Sequence, residues 1–152
     1  MVMSPKTKLQ WIEAASLAVQ VAIERVDAPD VRLGELAECT VTGKVRRVFV
    51  GDYECDARLS FRMAVYSEKP PPGDCYEDVE RLRAANFIEA YLEKDADEPG
   101  VWRACDTLLI EEVSNEPILL TWLRQAVAQD NSEEKAPVSN LTKLWRRLLG
   151  RT

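Results

Sequence analysis

Five residues in the first half of the chain have side chains suited to binding a nucleic-acid strand. Two segments between Cys39 and Tyr66 alternate apolar and polar residues, which is typical of half-buried strands. Cations on the polar face could contact phosphates while an aromatic ring stacks on a base. The alternative is a solvated face whose cations are balanced by Glu89 and Glu93 on another strand. The candidate residues are Lys44, Arg46, Arg58, Arg62 and Tyr66.

A second candidate site lies near the C-terminal end, in residues 139–150. Asn140 can cap a short helix there, and Gly150 can end it. One side of this helix would be apolar and the other basic, which suits a partner's groove or an anionic membrane surface. The alternative is a helix packed on its own domain or on a second copy. The partner-binding candidates are Leu141, Leu144, Trp145, Leu148, Arg146 and Arg147.

Two acidic clusters resemble sites only in part. The loop from Asp95 to Asp106 has some of the alternating oxygens of a calcium loop, but Pro99 occupies its fifth position. We therefore expect a plain hairpin loop and no metal. The second cluster comprises Asp74, Glu77, Asp78 and Glu80, which we place at a helix start, where carboxylates are favoured by the helix dipole.

Catalytic chemistry has little support in the sequence. Histidine is absent, which excludes histidine general bases and histidine metal ligands. No nucleophile elbow, phosphate-binding loop, dinucleotide fingerprint or HExxH motif occurs. A cysteine nucleophile would lack a candidate base. We therefore predict no catalytic residue and no cofactor, and we lean against an enzyme.

The cysteines and the charge bear on the cellular compartment and on partners. The cysteines are Cys39, Cys55, Cys75 and Cys105, with no CxxC pair, which favours free thiols without choosing among the disulfide pairings. We expect a cytoplasmic protein without a transmembrane segment, or a secreted one if a leader preceded Met1. Residues 140–152 carry a net charge of +4, while the whole chain of 152 residues carries −6. The part of the chain before residue 140 is therefore strongly acidic, and its negative charge disfavours nucleic acid as a partner.

The patterns divide the chain into a domain over residues 1–130, a linker over 131–138 and a tail helix over 139–150. Within the domain we predict a helix over about 5–26, a β-rich body over about 36–113 and a helix over about 115–129. Residues 86–94 fit either a strand or a helix, and the strand is favoured by the inward phase of Ile88, Ala90 and Leu92.

This order predicts an α+β fold, with a small bent antiparallel sheet flanked by N- and C-terminal helices. The stretch from Val41 to Phe49 is similar to the long curved first strand of an OB-like, partly open β-barrel. That analogy implies no function. We expect a non-enzymatic interaction module that binds a protein partner or self-associates through its terminal helices. Single-stranded nucleic-acid binding on the basic face is the alternative.

Overall fold

The computed structural model describes residues 4–28, 36–66 and 77–135, with side chains described as far as residue 130. Nine elements follow one another along these segments. They are α1 (Pro5–Glu13), β1 (Leu17–Asp27), β2 (Leu36–Val50), β3 (Arg58–Tyr66), β4 (Glu77–Asp78), α2 (Val79–Ala84), β5 (Phe87–Lys94), β6 (Trp102–Ile110) and α3 (Ile118–Lys135).

Five of the strands close into a barrel in the order β2, β1, β5, β6 and β3, and pairing between β2 and β3 completes the ring. Four of the junctions are antiparallel, whereas β3 runs parallel to β6 where Phe61 pairs with Trp102. The short β4 extends the sheet beyond β3. The predicted α+β fold with an OB-like barrel is confirmed, with a closed ring of mixed rather than wholly antiparallel pairing.

The barrel interior is filled by alternate residues of the strands, as the sequence predicts. On β2, Cys39, Val41 and Val45 are buried, and on β3 Leu59 and Phe61 are also buried. The β5 residues Ile88, Ala90 and Leu92 complete this core, so the strand prediction for residues 86–94 is confirmed over Phe87–Lys94. A period of two places one face of each strand inside the barrel and the other outside.

The bend of the barrel comes from bulges between β1 and β2. The register of this pair shifts three times, leaving Glu24, Arg46 and Phe49 as extra residues. Extra residues of this kind increase the local twist of a strand. The bulges at Arg46 and Phe49 lie in the stretch from Val41 to Phe49, whose sequence predicts a long curved strand. Close to the bend, a Cβ on Gly43 would lie 2.2 Å from the Ala22 carbonyl oxygen, so only glycine fits there without movement.

The predicted helix over residues 5–26 is wrong beyond Glu13. Ser4 caps α1 through a hydrogen bond from the Thr7 backbone, and the helix then ends at Glu13. Residues 17–27 form β1 instead. Both faces of its first half are buried, because Leu17 and Val19 point into the barrel while the intervening residues lie under the helices. Burial on both faces hides the period of two in an apolar stretch.

A second, smaller core joins both terminal helices to the outside of the barrel. It contains Ile12 from α1, Tyr91 from β5, and Leu119, Leu120 and Leu123 from α3. The α3 helix begins at Ile118 and continues to Lys135, so the predicted linker is helical over residues 131–135. Residues 136–138 lie outside the described part. Within the described segments, no helix has both the length and the apolar character needed to span a membrane.

Candidate functional site

Lys44, Arg58 and Arg62 share the outer face of β2 and β3, whereas Arg46 is the extra residue of a bulge and has no partner in the strand register. Their register places Lys44 opposite Arg58, and it places Arg62 opposite Thr40. Tyr66 stands at the end of β3, half-buried and opposite Leu36. The strand alternation therefore brings three of the predicted cations together, while the single aromatic candidate sits at the edge of the face.

Acidic side chains neutralise much of this face. Arg58 lies 3.4 Å from a carboxylate oxygen of Glu24, and Arg62 forms a bidentate pair with Glu98 at 2.9 and 3.1 Å. Next to Arg62 on the barrel, Arg103 contacts both Glu38 and Asp95. A hydrogen bond from the Asp97 backbone N–H, together with one from the Arg103 side chain, holds the pKa of Asp95 below its usual value. The face is thus a network of ion pairs, and a phosphate would have to displace carboxylates to bind.

The carboxylates that balance the face differ from those expected. Glu93 is exposed, but Glu89 is completely buried, so the prediction that Glu89 faces water is wrong. Its side chain points away from the barrel interior, and α3 covers that outer side of β5. The sequence pattern could not reveal this, because the covering helix comes from a segment about 30 residues further along the chain.

Glu89 is the centre of a buried polar network that fixes the start of α3. Its two carboxylate oxygens accept the backbone N–H groups of Ile118 and Leu119, each at 2.7 Å. Gln20 donates to the same carboxylate at 2.8 Å and accepts the backbone N–H of Ser114 at 2.8 Å. A carboxylate at this position satisfies amides that the first turn of a helix leaves without partners.

Tyr91 connects this network to the next amide of the helix. Its hydroxyl donates to Glu89 at 2.8 Å and accepts the Leu120 backbone N–H at 3.1 Å. Burial, followed by the nearby Glu89 carboxylate, raises the pKa of Tyr91 well above its usual value. No buried side-chain nitrogen or oxygen among the described residues is left without a hydrogen bond. The first turn of α3 is therefore held rigidly against the barrel.

The outer side of this anchored helix carries an exposed apolar surface. Trp122 is 59% exposed and Ile118, one turn earlier, is 39% exposed. With Pro117 they line a shallow groove of about 290 Å³, and we refer to these three residues as the α3 patch. Tryptophan is enriched among residues that dominate binding energy at protein interfaces. Both residues lie on the side of α3 away from the buried Leu119 and Leu123.

The acidic clusters have structural partners. Asp78 caps α2 by accepting the Arg81 backbone N–H at 2.7 Å, and Asp106 forms an ion pair with Lys8 at 3.1 Å. The segment after Asp95 is a hairpin loop leading into β6, as expected. Among the described residues, no three acidic or cysteine side chains gather in a way that could hold a metal ion.

The described cysteines occupy three different environments as free thiols. Cys39 is buried in the barrel, Cys105 is half-buried on β6 and Cys55 is exposed in the turn before β3. Burial raises the pKa of the Cys39 thiol to about 11, which keeps it protonated at neutral pH. A protonated thiol is a poor nucleophile, so this residue has the character of a core side chain.

The partner-binding candidates of the tail lie outside the described residues. They are Leu141, Leu144, Trp145, Leu148, Arg146 and Arg147.

Comparison with known proteins gives no relative, because neither a protein-family model nor a curated protein matches this sequence.

Proposed function

We propose that this protein is a non-enzymatic interaction module that binds a protein partner through the α3 patch. The observation that carries the proposal is the exposed Trp122 side chain on a helix whose first turn is anchored by Glu89. A rigid aromatic side chain loses little conformational entropy on binding, so it can contribute strongly to affinity. The tail residues 139–150 follow α3 in the sequence and would add to the interface.

The proposal is tested with Trp122→Ala as bait in quantitative affinity capture. If Trp122 is a hot spot, the change costs at least about 2 kcal/mol, which is roughly a 30-fold loss of affinity. Leu36→Ala is a matched control, because Leu36 is an apolar side chain of similar exposure, 48%, that lies on β2 and outside the α3 patch. Proteins that are retained by the wild type and the control but lost by Trp122→Ala would support the proposal. Identical capture by all three baits would refute it.

Self-association through the same patch is measured separately. Sedimentation velocity of the wild type and of Trp122→Ala, over a range of concentrations, reports whether the patch joins two copies. A concentration-dependent dimer that Trp122→Ala abolishes would identify a second copy of the chain as the partner. A monomer at all concentrations would leave a different protein as the partner.

A second candidate function is single-stranded nucleic-acid binding on the β2–β3 face. It is favoured by Lys44 and Arg58, which are exposed and directly opposite each other on the face that OB-like barrels use for oligonucleotides. The ion pairs of Arg58 and Arg62 with carboxylates weigh against it. Anisotropy of a labelled oligonucleotide should show affinity that falls with salt and that Arg58→Glu with Arg62→Glu abolishes. No binding at low salt would exclude this function.

A further inference from the structure

We propose that, in the absence of a partner, the α3 patch is covered by the C-terminal segment of the same chain, residues 140–150. This proposal rests on the proposed function, because a partner that binds the α3 patch would have to displace the tail from it and could then contact the displaced tail as well. Three properties of the molecule support it: the reach of the tail, its charge and the size of the patch.

The tail is long enough to return to the patch. Trp122 lies 13 residues before the last residue of α3, which is about 20 Å along the helix axis. Residues 136–139 in extended form span about 13 Å, and residues 140–145 as a helix add about 9 Å. Trp145 can therefore reach the level of Trp122 even if the predicted tail helix is fully formed.

Apolar spacing and charge are complementary between the two segments. Leu141, Leu144, Trp145 and Leu148 repeat at the spacing of one helix face, which suits a narrow apolar strip such as the α3 patch. Exposed acids lie just before α3, at Glu111, Glu112 and Glu116. The cation of α3 nearest the patch in sequence, Arg124, is already paired with Glu13 at 3.3 Å. The basic side of the tail would thus lie near Glu116, which lines the groove at the α3 patch.

The small size of the patch favours an intramolecular occupant. A tryptophan side chain buries at most about 250 Å², whereas a stable interface between two proteins buries about 800 Å² on each partner. Ile118 and Trp122, both only partly exposed, fall well short of that area by themselves, so a protein partner would also have to contact the surface around them. A tethered segment needs less area, because a short linker gives it an effective concentration in the millimolar range.

The test uses the full chain labelled with ¹³C and ¹⁵N. We expect nuclear Overhauser effects between the Trp122 ring and the methyl groups of Leu144 and Leu148, with equal relative intensity at low and high protein concentration. Leu144→Glu should remove these effects and shift the Trp122 indole N–H resonance. Thr142→Glu adds the same charge outside the apolar stripe and should leave both unchanged.

Three results would overturn the proposal. One is the absence of contacts between Trp122 and the tail in the wild-type chain. The second is an equal response of the Trp122 resonance to Leu144→Glu and Thr142→Glu. The third is contacts that appear only between labelled and unlabelled molecules in a mixture, which would assign the tail to a second copy. None of these measurements involves a partner, so failure here is distinct from failure of the affinity capture.

Discussion

The carboxylate of Glu89, in the middle of β5, accepts the backbone N–H of Leu119 at the start of α3 at 2.7 Å. A barrel strand therefore supplies the N-terminal cap of the helix that carries the exposed Trp122. This contact links the barrel to the proposed interaction surface, since the orientation of the α3 patch depends on a side chain that is itself fully buried.

Replacing Glu89 with glutamine should destabilise the protein. The amide can present only one oxygen to the two helix N–H groups, and its NH₂ group would face another donor. Loss of a buried, charge-assisted cap should lower the free energy of unfolding by about 2 to 4 kcal/mol in urea denaturation. Glu93→Gln, four residues further along the strand and exposed, should change it by less than about 0.5 kcal/mol. Equal effects of the two variants would contradict a capping role for Glu89.

Substitutions at two neighbouring residues of α3 should have different effects, one on stability and the other mainly on partner binding. Leu123 is 1% exposed in the outer core, so Leu123→Ala should lower the free energy of unfolding by about 2 to 5 kcal/mol. Trp122→Ala removes a mostly exposed ring and should cost about 1 kcal/mol or less. Thermal unfolding of both variants measures this contrast. A large loss of stability in Trp122→Ala would mean that its side chain serves packing.

Gly43→Ala should destabilise the bent pair of strands. The added methyl group would lie 2.2 Å from the Ala22 carbonyl oxygen and 2.6 Å from a Val21 methyl carbon, so the backbone of β1 would have to move. Overpacking of this kind costs about 1 to 3 kcal/mol. Thr40→Ala on the outer side of the same strand should cost less than about 1 kcal/mol. Urea unfolding of the two variants compares them, and an unchanged midpoint for Gly43→Ala would show that the strands can separate freely here.

Stability should fall between about pH 9 and 11 because of Cys39. Its thiol has a pKa of about 11 in the folded protein, against 9.0 when exposed. In that window the unfolded chain loses a proton that the folded chain retains, so unfolding becomes easier as the pH rises. The stabilisation is complete below pH 9, and about 2 to 3 kcal/mol is lost by pH 11.

The variant Cys39→Ala isolates this contribution. Its free energy of unfolding, measured by urea titration at several pH values, should decline less steeply than that of the wild type over this window. Cys55→Ala, which removes the exposed thiol, should keep the wild-type slope. Parallel curves for the wild type and Cys39→Ala would show that the buried thiol is not responsible.

The sequence by itself determined the elements whose signals are local. The alternation of β2 and β3, the proline-started helix at Ser4 and the polar hairpin loop after Asp95 were all readable, because each depends on neighbours only a few residues away. The likeness of Val41–Phe49 to a long curved strand was local in the same sense. Together these elements were enough to predict an OB-like barrel and to place Lys44, Arg58 and Arg62 on one face.

Only the tertiary structure decided what lies outside the barrel. β1 was mistaken for helix because α1 and α3 cover its outer side, which removes the polar positions that would mark a strand. Glu89 was taken for a surface residue because its partners, Gln20 and the amides of α3, are distant in sequence. The exposure of Trp122 likewise depends on which side of α3 packs against the barrel. A carboxylate or an aromatic ring has no preferred burial of its own, and packing between distant segments determines whether it is buried or exposed.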